Sequence, residues 1–325
     1  RALLSHRAYA AFAAVLLRRV SSQLGVSWLQ LLRAADAQLA YTSSSGGSGA
    51  ADSASDHADV RAALLGSCDG GAERLDLASV GALRRVSKRD GMQLILGVSG
   101  LLSPREGDMA PLQMSACWAA ASAFFDAADW WSLHWGAPQL AALAATVHGG
   151  QVASLAHALA LRPEWGACYD AAKAAGAALA VQLQARRFGE RPVCLLGVSL
   201  GARVVWHCLE VLAELDGAAG LVQDVLLLAA PVTANAARWE RLRKVVAGRL
   251  INAYQPAAVQ LGHLYRSDHL TSSGCCGLSA VPSNAVENYD ATAHVDSDAC
   301  HFAAPAVLEA VGLLSTRSLQ TGTRQ

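Results

Sequence analysis

The stretch that most constrains this chain is residues 191–206, Arg-Pro-Val-Cys-Leu-Leu-Gly-Val-Ser-Leu-Gly-Ala-Arg-Val-Val-Trp. A short apolar run, Val193 to Gly197, leads without a break into Gly197, Val198, Ser199, Leu200 and Gly201. Val204, Val205, Cys208, Leu209 and Leu212 follow at helical spacing. A buried strand, a G-x-S-x-G turn and a helix are the parts of a nucleophile elbow, which holds a serine in a strained turn at the end of a strand. Such a turn needs small residues on either side, and Gly197 and Gly201 provide them. Ser199 then stands at a helix N-terminus, where backbone N–H groups and the helix dipole favour developing negative charge. The competing reading is a strand-to-helix turn whose serine caps the helix.

Other apolar runs place this unit in a larger pattern. Residues 93–98, 130–135, 193–198, 224–229 and 249–254 read as strands. Between and after them, helices are predicted around 114–125, over the alanine-rich stretch 168–187, and over 235–246 and 306–314. Strands alternating with helices imply an α/β fold with a mostly parallel sheet covered by helices. Ahead of it, residues 1–41 read as a helical pair joined at Gly25, with Leu16, Leu17, Val20 and Leu24 in one stripe and Arg18, Arg19 and Arg33 off it. Residues 42–56, rich in Ser, Gly, Ala and Asp, are expected to be a flexible insert. Residues 57–89 are expected to form a helical lead-in, with helix near 57–66 and 79–88, ahead of a domain over 90–318 and a disordered tail at 319–325.

Composition excludes several classes of function. The formal net charge is zero, so no overall basic or acidic field points to nucleic acid. The eight cysteines are scattered, several of them inside apolar runs, as in a reducing, intracellular compartment, cytoplasmic or membrane-associated. Adjacent Cys275 and Cys276 lack the spacing of a zinc site, and neither metal nor cofactor is implied. The chain begins at Arg1 without methionine or a signal-peptide pattern, which reads as a fragment whose native N-terminus is unknown. No uninterrupted apolar run reaches the length of a membrane span. The nearest candidate, 140–161, is broken by polar residues and reads as buried or surface-lying helix. It and the stripe on residues 3–24 are the candidate surfaces for peripheral membrane contact.

A serine nucleophile needs an imidazole to take its proton and an acid to orient that imidazole, in the chain order Ser, acid, His. After Ser199 the histidines are His207, His263, His269, His294 and His301. His301 lies just before the closing helix, the place of the base, with His294 in reserve. The oxyanion donors are expected to be the backbone N–H of Leu200 and one in the loop after the first strand, near Gly100 and Leu101.

These motifs resemble those of the transmembrane-and-coiled-coil-domain hydrolase-like proteins of eukaryotes. The resemblance covers about 90–315 and rests on residues 191–203, the Leu-Leu-x-Ala-Pro-Val segment at Pro231, Arg238-Trp-Glu, and Val246-Ala-Gly-Arg249. It continues through Asn252-x-Tyr254, Leu264-Tyr-Arg266, Val286-Glu-Asn288 and a late histidine. It implies an α/β-hydrolase fold, a Ser/Asp/His site and, in many members, membrane association. Two departures stand out. The family's acid position, after the Asn-x-Tyr strand, is occupied here by Ala258, and the hydrophobic segment expected between Trp135 and Pro163 is short. Asp268, Asp290 and Asp296 are the substitutes in reach of the chain order, and the sequence selects none.

Two functions therefore compete. One is a serine hydrolase, an esterase or lipase acting on a small-molecule ester or lipid. The other is an inactive α/β-hydrolase-fold scaffold for protein or membrane interaction.

Overall fold

The computed structural model describes residues 11–44, 74–77, 80–87, 92–100, 115, 118–123, 125, 128–146, 152, 154–268, 274–295 and 303–313, leaving aside the side chains of 38–44. The described strands form one eight-stranded sheet in the order β1-β2-β4-β3-β5-β6-β7-β8. They are β1 (Arg74–Asp76), β2 (Gly81–Arg85), β3 (Gln93–Val98), β4 (Ala128–Trp135), β5 (Val193–Val198), β6 (Val222–Leu228), β7 (Leu250–Tyr254) and β8 (Glu287–Asp290). From β4 to β8 every neighbouring pair is parallel, while β1 and β2 add an antiparallel edge. The chain is thus an α/β protein with a mostly parallel sheet.

The helices in chain order are α1 (Ala11–Gln23), α2 (Trp28–Ser44), α3 (Ala137–Thr146), α4 (Leu155–Ala160), α5 (Arg162–Gln184), α6 (Leu200–Glu214), α7 (Ala236–Arg243), α8 (Val259–Asp268) and α9 (Ala304–Ala310). The central strands are apolar on both faces because both faces are covered. Leu195, Val225 and Leu227 point into a core shared with α5 and α6, whereas Leu196, Leu226 and Ile251 join one with Leu29, Trp118 and Val307. Alternation along single strands divides the two cores.

Three strands depart from the sequence expectation. Residues 81–85, read as part of a helix over 79–88, form β2, so the sheet begins before residue 90. Its Gly-Ala-Leu-Arg-Arg sequence includes good helix formers, but pairing with β4 overrides that preference, with Leu83 opposite Leu133. Strand β1 has three residues, and β8 (Glu-Asn-Tyr-Asp) carries no apolar run and forms the opposite edge. Residues 42–44, assigned to the flexible insert, instead complete α2. The helix expected over 57–66, the rest of the insert and the tail at 319–325 lie outside the described residues. No helix among the described residues is long and apolar enough to cross a membrane, and 140–161 contains α4 and most of α3.

Helix α1 docks opposite to the way its stripe suggests. Leu16 and Leu24 are 61% and 73% exposed, while Ala11, Ala14 and Ser21 are buried. Arg18, expected on the polar side, reaches the sheet and holds both carboxylate oxygens of buried Asp224 at 2.7 and 3.0 Å. The same carboxylate accepts from Gln223 Nε2 and from the backbone N–H of Arg249. A second buried carboxylate, Asp129, accepts from Arg85, Arg191 and the Trp131 indole. The described cysteines 168, 194, 208, 275 and 276 are free and buried, and burial, with Glu164 nearby, pushes the Cys168 thiol up to about 12. It stays protonated and unreactive.

Removing one partner of a buried ion pair leaves an uncompensated charge and costs about 3–5 kcal/mol, less where water reaches the pair. Because Arg18 is partly exposed, Arg18→Ala is expected to lower stability to urea by about 2–3 kcal/mol. Unchanged unfolding would show that α1 is not anchored by this pair.

Candidate functional site

The turn between β5 and α6 places Ser199 at φ 55°, ψ −128°, a left-handed conformation rare for residues other than glycine. Its N–H continues the ladder to the Leu228 carbonyl at 2.9 Å, and its own carbonyl accepts from Ala202 and Arg203. The side chain makes no capping hydrogen bond. The helix-capping reading is therefore wrong, and Ser199 stands half-exposed at the carboxyl end of a central strand.

Backbone crowding accounts for the glycines. A Cβ on Gly201 would stand 2.1 Å from the Val98 carbonyl oxygen, and one on Gly100 would stand 2.4 Å from the Leu200 nitrogen. The end of β3 thus lies directly on the first turn of α6, beside the backbone N–H of Leu200. The sequence places an oxyanion donor near Gly100 but does not show this contact, which joins segments about a hundred residues apart. A second non-glycine residue with positive φ, Ala229 at 50°, stands at the carboxyl end of neighbouring β6. Strained backbone of this kind costs about 1–3 kcal/mol and gathers at functional sites.

The other expected residues are placed as follows. Leu101, His269, Asp296 and His301 lie outside the described residues. Ala258 is buried in the turn between β7 and α8, with its carbonyl accepting from Gly262. Asp268, at the end of α8, faces Arg162 at 3.8 Å. Asp290, exposed at the end of β8, accepts from the N–H and hydroxyl of Thr292, which hold its carboxyl below the usual range. His294 follows β8, and its Nε2 lies 2.8 Å from the Tyr289 hydroxyl. His207 is on α6, bonded through Nδ1 to Glu210, and His263 is on α8.

Two features carried no sequence signal. Gln255, the residue after β7, is buried; its Nε2 donates to the Val295 carbonyl in the segment after β8, and its Oε1 has no partner among the described residues. His134, on β4, lies 2.7 Å from the Ser115 hydroxyl. Burial, with Arg84 and Arg74 adding to it, pushes His134 down to about 4, so it is neutral near pH 7. No group of acidic, histidine or cysteine side chains among the described residues is arranged to hold a metal ion.

Fold and turn together define an α/β protein with a strained, half-exposed serine leaving a central parallel strand. The chain belongs to the family described as "Protein of unknown function (DUF726)", which matches residues 121–313. It is 42% identical to a rice (Oryza sativa subsp. japonica) protein named as transmembrane and coiled-coil domain-containing, over 43% of this chain and 21% of that protein. It is 43% identical to an uncharacterized membrane protein of Caenorhabditis elegans, over 32% of this chain and 17% of the relative. A Saccharomyces cerevisiae protein named a probable lipase is 35% identical over 41% of this chain and 12% of its own length. The resemblance read from the motifs is borne out, and the chain spans about a fifth or less of these relatives. No solved structure matches.

The crowding can be measured. Overpacking costs about 1–3 kcal/mol or more, and at Gly201 the obstacle is backbone that cannot step aside. Gly201→Ala is expected to lose at least that much, whereas Gly166→Ala, in α5 with open space around it, should gain up to about 1 kcal/mol from helix propensity. Equal effects of the two in thermal unfolding would refute the close approach.

Proposed function

We propose that this chain is a serine ester hydrolase of the α/β-hydrolase type, acting on an apolar acyl substrate such as a lipid. The observation that carries the proposal is the backbone of Ser199, strained and without a cap bond, at the junction of β5 and α6. In this reading Ser199 Oγ attacks the ester carbonyl carbon while His301 takes its proton. The N–H groups of Leu200 and Leu101 hold the tetrahedral oxyanion. Collapse expels the alcohol, protonated by His301, and water then releases the acyl group by the same steps. Three supports converge: β3 ends against the first turn of α6, His301 falls between β8 and α9, and one relative is named a probable lipase.

The scaffold reading has its own observation. The turn after β7 offers Ala258 where an acid is expected, and Asp268 and Asp290 are each engaged elsewhere. An absent acid slows a triad rather than abolishing it, by about 10⁴ in kcat in the well-studied case. Weak hydrolysis of a short-chain ester is expected, lost in Ser199→Ala and in His301→Ala and raised in Ala258→Asp. A fluorophosphonate probe should label Ser199. Absence of labelling, or a rate unchanged in a folded Ser199→Ala protein, would establish the scaffold instead.

Relatives named as membrane proteins favour membrane association. For this chain we propose a peripheral contact through the exposed face of α1 and the turn that ends it, where Phe12, Leu16, Val20 and Leu24 are exposed. Expressed alone, the chain should leave membranes on carbonate extraction, and resistance to both carbonate and high salt would refute a peripheral mode.

A further inference from the structure

A cavity of about 290 Å³ opens beside α6. Its lining includes Arg203, Trp206, Thr233, Asn235, Arg238 and Tyr265. The volume is at the small end of ligand sites, suited to a polar headgroup rather than to a whole lipid. Arg203 follows Ser199 by four residues, roughly 6 Å along the helix axis, and its N–H donates to the Ser199 carbonyl at 3.3 Å. Thr233 and Asn235 come just after the carboxyl end of β6, the neighbour of β5. Cavity and serine therefore both lie toward the carboxyl ends of β5 and β6.

Charge pairing around the cavity is incomplete. Glu210 accepts Nε and Nη2 of Arg238 on one oxygen, and its other oxygen lies 2.9 Å from His207 Nδ1. Burial works against its ionisation, yet the bonds from His207 and Arg238 hold its carboxyl at about 2. Asp268 faces Arg162. Both carboxylates that act on Arg203 thus already have an arginine of their own. Arg203 itself is half-buried. Its Nε donates to the Tyr169 carbonyl at 3.4 Å and its Cζ lies 3.4 Å from the Tyr169 ring centroid. That ring is pinned in turn by its hydroxyl, which donates to the Pro231 carbonyl at 2.5 Å.

The guanidinium is thus held over an aromatic face with no carboxylate in hydrogen-bonding reach among the described residues. Its two Nη groups remain as a preorganised fork, the geometry that matches a phosphate. Thr233 Oγ1 accepts the Asn235 N–H, which leaves the hydroxyl proton to donate. Arg238 retains Nη1. Trp206 and Tyr265 supply an apolar wall.

We propose that this cavity binds the phosphate group of a phosphorylated ligand. Resting on the hydrolase reading above, that ligand is the acyl ester whose carbonyl meets Ser199. A carboxylate offers acceptors enough for one fork, whereas the three free oxygens of a phosphomonoester reach Arg203, Arg238 and Thr233 together.

Titration calorimetry on the full chain with inorganic phosphate and with glycerol 3-phosphate tests this without recourse to activity. Saturable binding is expected at millimolar concentration or below, weakened about tenfold or more in Arg203→Gln, as for loss of a charged hydrogen bond. Arg203→Gln also removes the ring contact, so Thr233→Asp is the second variant. It sets a carboxylate before the intact Arg203 and should weaken binding as much while far-UV circular dichroism and melting stay near wild type. Vesicles of phosphatidylcholine containing phosphatidic acid, against vesicles containing diacylglycerol, separate the sources. Displacement of glycerol 3-phosphate by the former alone assigns a lipid headgroup, and failure of both to compete assigns a soluble phosphate ester. Absence of binding in the wild type, or undiminished binding in folded Thr233→Asp, overturns the site. Ser199→Ala should bind phosphate as the wild type does, since the cavity does not include that side chain; a wild type that binds phosphate yet hydrolyses no ester refutes the hydrolase reading alone.

Discussion

The interaction on which the site depends is backbone against backbone: the end of β3 laid on the first turn of α6 with no side chain between them. Gly201 and Gly100 permit it, since a single added carbon on either would fall within 2.4 Å of main-chain atoms. The contact fixes the tilt of α6, and hence which way Ser199 projects and which core α6 covers. It also brings the N–H of Leu200 beside the segment leaving β3, two main-chain elements that neither could position alone. Side-chain packing tunes such an arrangement; it cannot replace it, because the spacing is already below that of any side chain.

The two ends of the parallel strands are built by different means. Buried carboxylates Asp129 and Asp224 sit near the amino ends of β4 and β6, each saturated by arginine and further donors. Those arginines come from α1, from β2 and from the turn before β5, so the network ties peripheral elements to the sheet. Buried ion pairs add little net stability over apolar packing but strongly penalise loss of one partner. The carboxyl ends carry a different set of features. Strained Ser199 and Ala229 stand there, with the buried Gln255 amide and Arg203 on the same side, whereas Arg186 at positive φ and the Gln93 and Gln223 oxygens, unpartnered among the described residues, lie toward the amino ends. The carboxyl side is the one on which open α/β sheets bind ligands.

Legibility in the sequence followed burial. Strands β3, β5, β6 and β7 announced themselves because strands covered on both faces are nearly continuous apolar runs. The edges did not: β8 is polar, β1 has three residues, and β2 reads as helix until β4 is beside it. The stripe on α1 pointed outward because small residues and Arg18 make its contact. For the site, the spacing of glycines around Ser199 sufficed to find the turn. The surroundings of Arg203 could not be read, since Tyr169, Glu210, Thr233 and Arg238 reach it from α5, α6, the segment after β6, and α7. Convergence from four segments leaves no spacing signature.

A working serine is separated from a relic in part by the energy its conformation costs. Held at φ 55°, a serine carries about 1–3 kcal/mol of strain, and glycine would relieve most of it at the same turn. A scaffold gains no helix cap from the hydroxyl, on a residue left half-exposed. An alanine in the acid position costs a scaffold nothing and costs a hydrolase only speed. Strain by itself does not single out chemistry, since Arg186 and Ala229 also hold positive φ; what sets Ser199 apart is a side chain that makes no cap bond where a central strand meets a helix, and the proposed hydrolase reading rests on that combination.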